Sequence, residues 1–164
     1  NDECGTFDPA WTQSKTAVRK AFVLCVAIDG LADRYCKEQS VSRKEVLKRV
    51  SEFCYYREPR AIREGVIYRI WSIANAHRHG VLDDDRNELL SDKDVLCCAT
   101  AYGSGVFGVG KYGGLPEVLI TTKNGDVFKF LGDSAAVLAG WLRFLKLNYP
   151  QYDLIVPNRF VMGE

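Results

Sequence analysis

The sequence predicts an α+β domain in which antiparallel helices come first and a small antiparallel sheet with a final helix comes last. Three observations carry this. Apolar residues recur at three and four positions between 15 and 79, an Asn-Gly dipeptide parts two β-rich runs within 117–131, and the helical period returns after Asp133. With 164 residues, 47% of them apolar and 26% charged, the chain can fill one hydrophobic core. It is read as a single domain over 1–164, with a helical region spanning 1–102 and a sheet-plus-helix region spanning 103–164.

The first helix is expected over about 15–37, capped by Ser14, with Val18, Ala21, Phe22, Cys25, Ile28, Ala32, Tyr35 and Cys36 as its apolar stripe. Ser42-Arg43-Lys44-Glu45 is a capping-box pattern, in which Ser42 and Glu45 each satisfy an orphan backbone N–H. It opens a second helix of about 43–56 through Val46, Leu47, Val50 and Phe53. Pro59 suits a first helical turn, after which Ile62, Val66, Ile70, Ile73 and His77 trace a third helix of about 59–79. Ser91-Asp92-Lys93-Asp94 reads as the start of a short fourth helix through Val95, Cys98, Ala99 and Tyr102.

After that the period changes. Six glycines within 103–114 suit a tight strand or loop, and their resemblance to a phosphate-binding loop fails at Tyr112, where a hydroxyl ligand to magnesium is needed. Asn124-Gly125 between two β-rich runs predicts a hairpin over 117–131 with a two-residue type I′ turn. Asp133 or Ser134 then caps a helix of about 134–148 through Val137, Leu138, Trp141, Leu142 and Leu145. Tyr152 to Val156 and Arg159 to Met162 read as short edge strands.

Six cysteines, Cys4, Cys25, Cys36, Cys54, Cys97 and Cys98, bear on the compartment. If the first two helices fold back about a turn near Ser40, Cys25 and Cys54 lie at nearly equal distances from it. A Cys25–Cys54 disulfide is therefore expected. Cys25 and Cys36 stand roughly 16 Å apart along one helix and cannot bond to each other. Cys4, Cys36, Cys97 and Cys98 leave three pairings open, and a fully reduced cytosolic chain is the alternative. Asn1-Asp2-Glu3-Cys4 lacks the regions of a signal peptide, so the chain is read as processed or excised, and the expected disulfide places it outside the cytosol, secreted or periplasmic.

Charge narrows the partners. With 22 basic and 21 acidic side chains, the net charge of +1 argues against coating nucleic acid or anionic lipid, and no apolar run approaches the ~20 residues that span a bilayer. No cofactor is expected. Oxygen side chains at Asp83, Asp85, Asn87, Ser91 and Asp94 fall at the ligand positions of an EF-hand-like calcium loop. Glu88 stands where glycine permits the sharp turn, so an acidic loop that caps the next helix is the competing reading.

Nucleophilic chemistry has one outlet, a thiol. Phe53-Cys54-Tyr55-Tyr56 before a helix, with a late hairpin after Gly114-Leu115-Pro116, resembles in layout the papain-like leader proteases of plant viruses. That resemblance implies a thiol-dependent hydrolase with Cys54 as nucleophile. It departs at the base, because Asp126 to Leu131 contain no histidine where the family carries one. His77 or His79 would have to serve, with Cys98 as the other candidate thiol.

So few histidines lean the reading toward binding. Over 14–80, a stapled helical hairpin followed by a helix opening near a proline is similar in layout to periplasmic immunity proteins that neutralise bacterial cell-wall amidase toxins. The expected function is a secreted or periplasmic module that binds another protein, as an inhibitor or immunity factor. Its candidate contact residues are Tyr56, Tyr102, Phe107 and Tyr112, because aromatic side chains dominate interface energies.

Overall fold

The first helix starts earlier and runs further than its apolar stripe requires. A computed structural model describes residues 9–55, 62–85, 87–98 and 117–149, with side chains from position 15, and α1 spans Pro9–Gln39. Ser14 therefore lies inside the helix and does not cap it. The inward stripe holds: Ala21, Phe22, Cys25, Ile28, Ala32 and Tyr35 are all buried. Ser40 ends α1 in the left-handed region at φ 52°, and the Val41 N–H donates to the Cys36 carbonyl at 3.3 Å. This is the Schellman closure, made by a serine where glycine is usual.

Ser42 caps α2, Arg43–Ser51, its Oγ accepting from the Glu45 N–H at 3.3 Å, which is the Ser42 half of the expected box. Here α2 stops short. The Phe53 and Cys54 N–H groups bond three residues back to Val50 and Ser51, tightening the last turn, and Tyr55 bridges antiparallel to Ile62. Arg63 N–H then bonds to the Cys54 carbonyl, and α3 spans Val66–His79, later than expected. The Pro59 turn lies outside the described residues, as do the glycine-rich run and both expected C-terminal strands.

Residues 91–98 depart from expectation. The Ser91–Asp94 capping box closes, but it serves a single 3-10 turn at Asp92–Asp94 and leads into strand β1, Val95–Cys98. Pairing decides this. Val95 stands opposite Ile120 and Cys97 opposite Val118 on β2, Glu117–Thr121, so β1 gains a ladder and sends Val95 into the core. β2 pairs antiparallel with β3, Val127–Lys129, giving the order β1-β2-β3.

The hairpin is present but its turn is not type I′. The Gly125 N–H bonds to the Thr122 carbonyl at 2.8 Å, and Gly125 alone in the hairpin has positive φ, at 86°. A turn centred on Lys123 and Asn124 followed by a left-handed glycine is the three-residue hairpin loop.

From β3 the chain passes directly into α4, Phe130–Asn148. Neither Asp133 nor Ser134 caps it. Asp133 is fully buried in the first turn, with Arg63 Nε 2.8 Å and Arg69 Nε 2.7 Å from its two oxygens, and Ser134 Oγ donates to the Leu131 carbonyl. Two arginines at a buried carboxylate dock the start of α4 on α3. The core lies between the helices and the inner sheet face, where Val46, Val50, Ile70, Ile73, Ile120, Val137 and Phe144 are essentially inaccessible. Each such side chain contributes about 1.5–3 kcal/mol.

The expected sulfur staple is absent. Cys25 and Cys54 are both free thiols, and so are Cys36, Cys97 and Cys98. Cys54 sits beyond the end of α2 with its thiol against Gly140 of α4. An ionic clamp joins the helices instead. Arg43, the first residue of α2, pairs with both Asp29 and Asp33 on adjacent turns of α1, and Arg78 of α3 lies 2.9 Å from Asp29 Oδ2. The Asp29 side chain is 1% exposed, so three helices meet at one buried carboxylate.

Candidate functional site

The residues nominated as a thiol site do not meet. Cys54 is fully buried and its thiol donates to the Val50 carbonyl at 3.4 Å. Burial pushes that thiol from 9.0 up to about 12, with the Arg143 charge acting the other way. Such a group stays protonated and inert at neutral pH. Cys54 neighbours Arg63, just before the start of α3, whereas His77 lies in the last turn of that helix. The two are separated by about 16 Å of helix rise, well beyond hydrogen-bond reach. His77 is exposed and stacks on Phe22 with ring centroids 4.9 Å apart, and His79 is exposed at the helix terminus. Cys98 closes β1 opposite Glu117, on the sheet face away from Cys97.

Three of the five oxygen-bearing side chains of the acidic loop, Asn87, Ser91 and Asp94, are engaged internally. Asp94 Oδ2 accepts from the Leu90 and Ser91 N–H groups, each at 2.8 Å. Asn87 is buried, its Oδ1 accepting from Asn75 and its Nδ2 donating to the Asp84 carbonyl. Asp83 and Asp85 are exposed, and Ser91 Oγ accepts from Lys93 N–H. A bridge between Val81 and Ser91 pinches the loop shut. Among the described residues, no three acidic, histidine or cysteine side chains converge as a metal site. Asp94 thus closes the Ser91–Asp94 turn, which leads into β1 and not into the helix that the sequence suggested.

Tyr56, Tyr102, Phe107 and Tyr112 lie outside the described residues. What the structure does reveal is a surface that the letters alone do not single out. Between Lys20 and Asp33, α1 reads Ala-Phe-Val-Leu-Cys-Val-Ala-Ile-Asp-Gly-Leu-Ala, and its only polar side chain there, Asp29, is buried in the clamp. A helix that is apolar all round is normally buried all round. This one is not: Val23 is 58% and Leu31 36% exposed, and Ala27 and Gly30 are exposed between them. The spacing 23, 27, 30, 31 places them along one outward face, opposite the stripe that packs on α3.

Gly30 stands out on that face. Its φ is not positive, and a Cβ built there would meet nothing within 4 Å. Neither backbone conformation nor internal packing requires glycine, although it costs about 1 kcal/mol relative to alanine in a helix. Contrast Gly140 of α4, where a Cβ would fall 2.6 Å from Cys54 Sγ and the chain's own packing demands glycine.

A second, smaller apolar exposure lies on the outer sheet face, where Leu96 and Val127 are each just over half exposed. Leu119 between them is buried and a Lys129–Glu117 ion pair at 2.9 Å crosses the same face. This face is mixed and interrupted, whereas that of α1 is continuous. No helix of the described residues is long and apolar enough to cross a membrane. No protein-family model, curated protein or solved structure matches the chain.

Proposed function

We propose that this chain is a protein-binding module that engages another protein through the outward face of α1. One observation carries the reading: three turns of helix have no exposed polar side chain, yet Val23, Ala27, Gly30 and Leu31 face solvent. Single exposed aliphatics are ordinary, but a contiguous run without polar relief is a surface that gains from being covered. The test compares partner capture from host lysate by the wild-type chain and by Val23→Asp with Leu31→Asp. Both side chains are exposed, so the double variant retains its helical circular dichroism. A protein captured by the wild type and lost with the variant supports the reading. Capture that ignores the substitutions refutes it.

The finer form of the proposal is an extracytoplasmic inhibitor or immunity factor. Its support is the order of helices over 14–80 alone, because the Cys25–Cys54 staple that belonged to that similarity and argued for export does not form. Alkylation of the denatured, unreduced protein decides the compartment. Fewer than six modified cysteines support an exported, oxidised chain, and six withdraw that placement.

A further inference from the structure

We propose that the partner segment received by α1 is itself a helix, apolar at its centre and acidic at both ends, crossing α1 closely at Ala27 and Gly30. This rests on the protein-binding reading above and adds the chemistry of the partner. Two observations lead to it, one steric and one electrostatic.

The steric observation is Gly30, exposed at mid-helix with nothing near its missing Cβ and no positive φ to explain it. With Ala27 one turn before it, Gly30 forms a shallow notch bounded by Val23 and Leu31. A facing helix seats its ridge in such a notch, and small residues there let the axes approach to the near end of the usual 8–10 Å, roughly. Lipid gains nothing from a shaped notch, and surface-lying helices bury many large apolar or aromatic side chains in the bilayer, whereas this face offers only Val23 and Leu31 and no aromatic. The notch therefore favours a protein occupant over a membrane.

The electrostatic observation is the sign of the flanks. Exposed Arg19 and Lys20 precede the apolar face, and exposed Arg34 and Lys37 follow it. Asp33, the acid nearest the face, is held by Arg43, and Glu38 lies beyond the second basic pair. Arg19 and Arg34 are separated by about 22 Å of helix rise, so the complementary segment carries its acids at similar spacing, roughly four turns apart. Charges at the rim of an apolar contact set partner choice and encounter rate.

The experiment uses two fluorescent synthetic helical peptides of about 18 residues. They share an Ala/Leu centre and carry either Glu or Lys at both ends, and a third arm uses phosphatidylcholine–phosphatidylserine vesicles. The full chain binds the Glu peptide at least about tenfold more tightly than the Lys peptide at low salt, and added salt narrows the gap. Arg19→Glu with Arg34→Glu inverts the preference. Gly30→Leu weakens Glu-peptide binding about tenfold while the unfolding midpoint holds or rises, because no internal neighbour opposes the new side chain. Equal affinity for both peptides, binding of neither, or indifference to Gly30→Leu overturns the proposal. So do vesicles that displace the Glu peptide, which would assign the face to lipid. If the peptide arms fail while Val23→Asp with Leu31→Asp still abolishes host-protein capture, only the acidic-helix partner falls. Capture indifferent to that double variant removes the binding face itself.

Discussion

Gly140→Ala tests how α4 is seated against the end of α2. The new methyl group would stand 2.6 Å from Cys54 Sγ, 3.3 Å from Cys54 N and 3.4 Å from its Cα. Favourable heavy-atom contacts begin near 3.5 Å, so the thiol must give by roughly 1 Å in a site that is fully buried. Overpacking of this kind costs about 1–3 kcal/mol, while replacing a mid-helix glycine by alanine returns about 1 kcal/mol. A net loss of about 1 kcal/mol follows, lowering the unfolding midpoint by about 2–4 °C for a chain of this size. Cys54→Ala alone leaves a small void and costs about 1 kcal/mol. The pair decides the matter: removing Sγ removes the shortest contact, so the double variant is more stable than the sum of the singles by about 1–2 kcal/mol. Urea denaturation followed by circular dichroism measures all four species. A higher midpoint for Gly140→Ala, or additivity within about 0.3 kcal/mol, would show that Cys54 is not packed in the Gly140 notch.

Three further outcomes follow from the same geometry. Burial raises both Cys25 and Cys54, so each stays protonated when folded at a pH where the unfolded thiol ionises. The stability this represents is complete below pH 9.0 and, for Cys54, lost as pH rises toward about 12. Unfolding free energies measured across that window should fall more steeply for the wild type than for Cys25→Ala with Cys54→Ala; parallel slopes would contradict it. Asp133→Asn leaves Arg69, whose side chain is 5% exposed, without its countercharge and destabilises by about 3 kcal/mol in chemical denaturation, whereas an unchanged midpoint would show the cluster contributes nothing. Ser40→Gly relieves a left-handed serine and adds about 0.5–1 kcal/mol, and a loss of stability there would mean that the serine side chain contributes to the closure.

What could be read directly from the chain was local. The stripe of α1, the Ser42 cap of α2, Val66, Ile70 and Ile73 of α3 and the Asn-Gly hairpin are each specified by residues within a few turns of one another, and each forms, whereas Ile62 and His77 of the expected α3 stripe are exposed. The fold class follows because period and turn chemistry are properties of short windows. Tertiary contacts decided the rest. Val95 to Cys98 is a short apolar run with no period of its own, and only a ladder to β2 makes it a strand. Asp133 reads as a cap in sequence, yet Arg63 and Arg69 arrive from far away and bury it. Cys25 and Cys54 satisfy the height argument for a bond, but α2 ends before Cys54 and turns that thiol to α4, leaving Arg43 and Asp29 to clamp the hairpin. The apolar belt from Ala21 to Ala32 was present in the letters throughout. Which side of it would be covered by the rest of the chain, and which left open at Val23, Ala27, Gly30 and Leu31, is a matter of where the other helices and the sheet pack. No local pattern encodes that, because burial is a property of the assembled core.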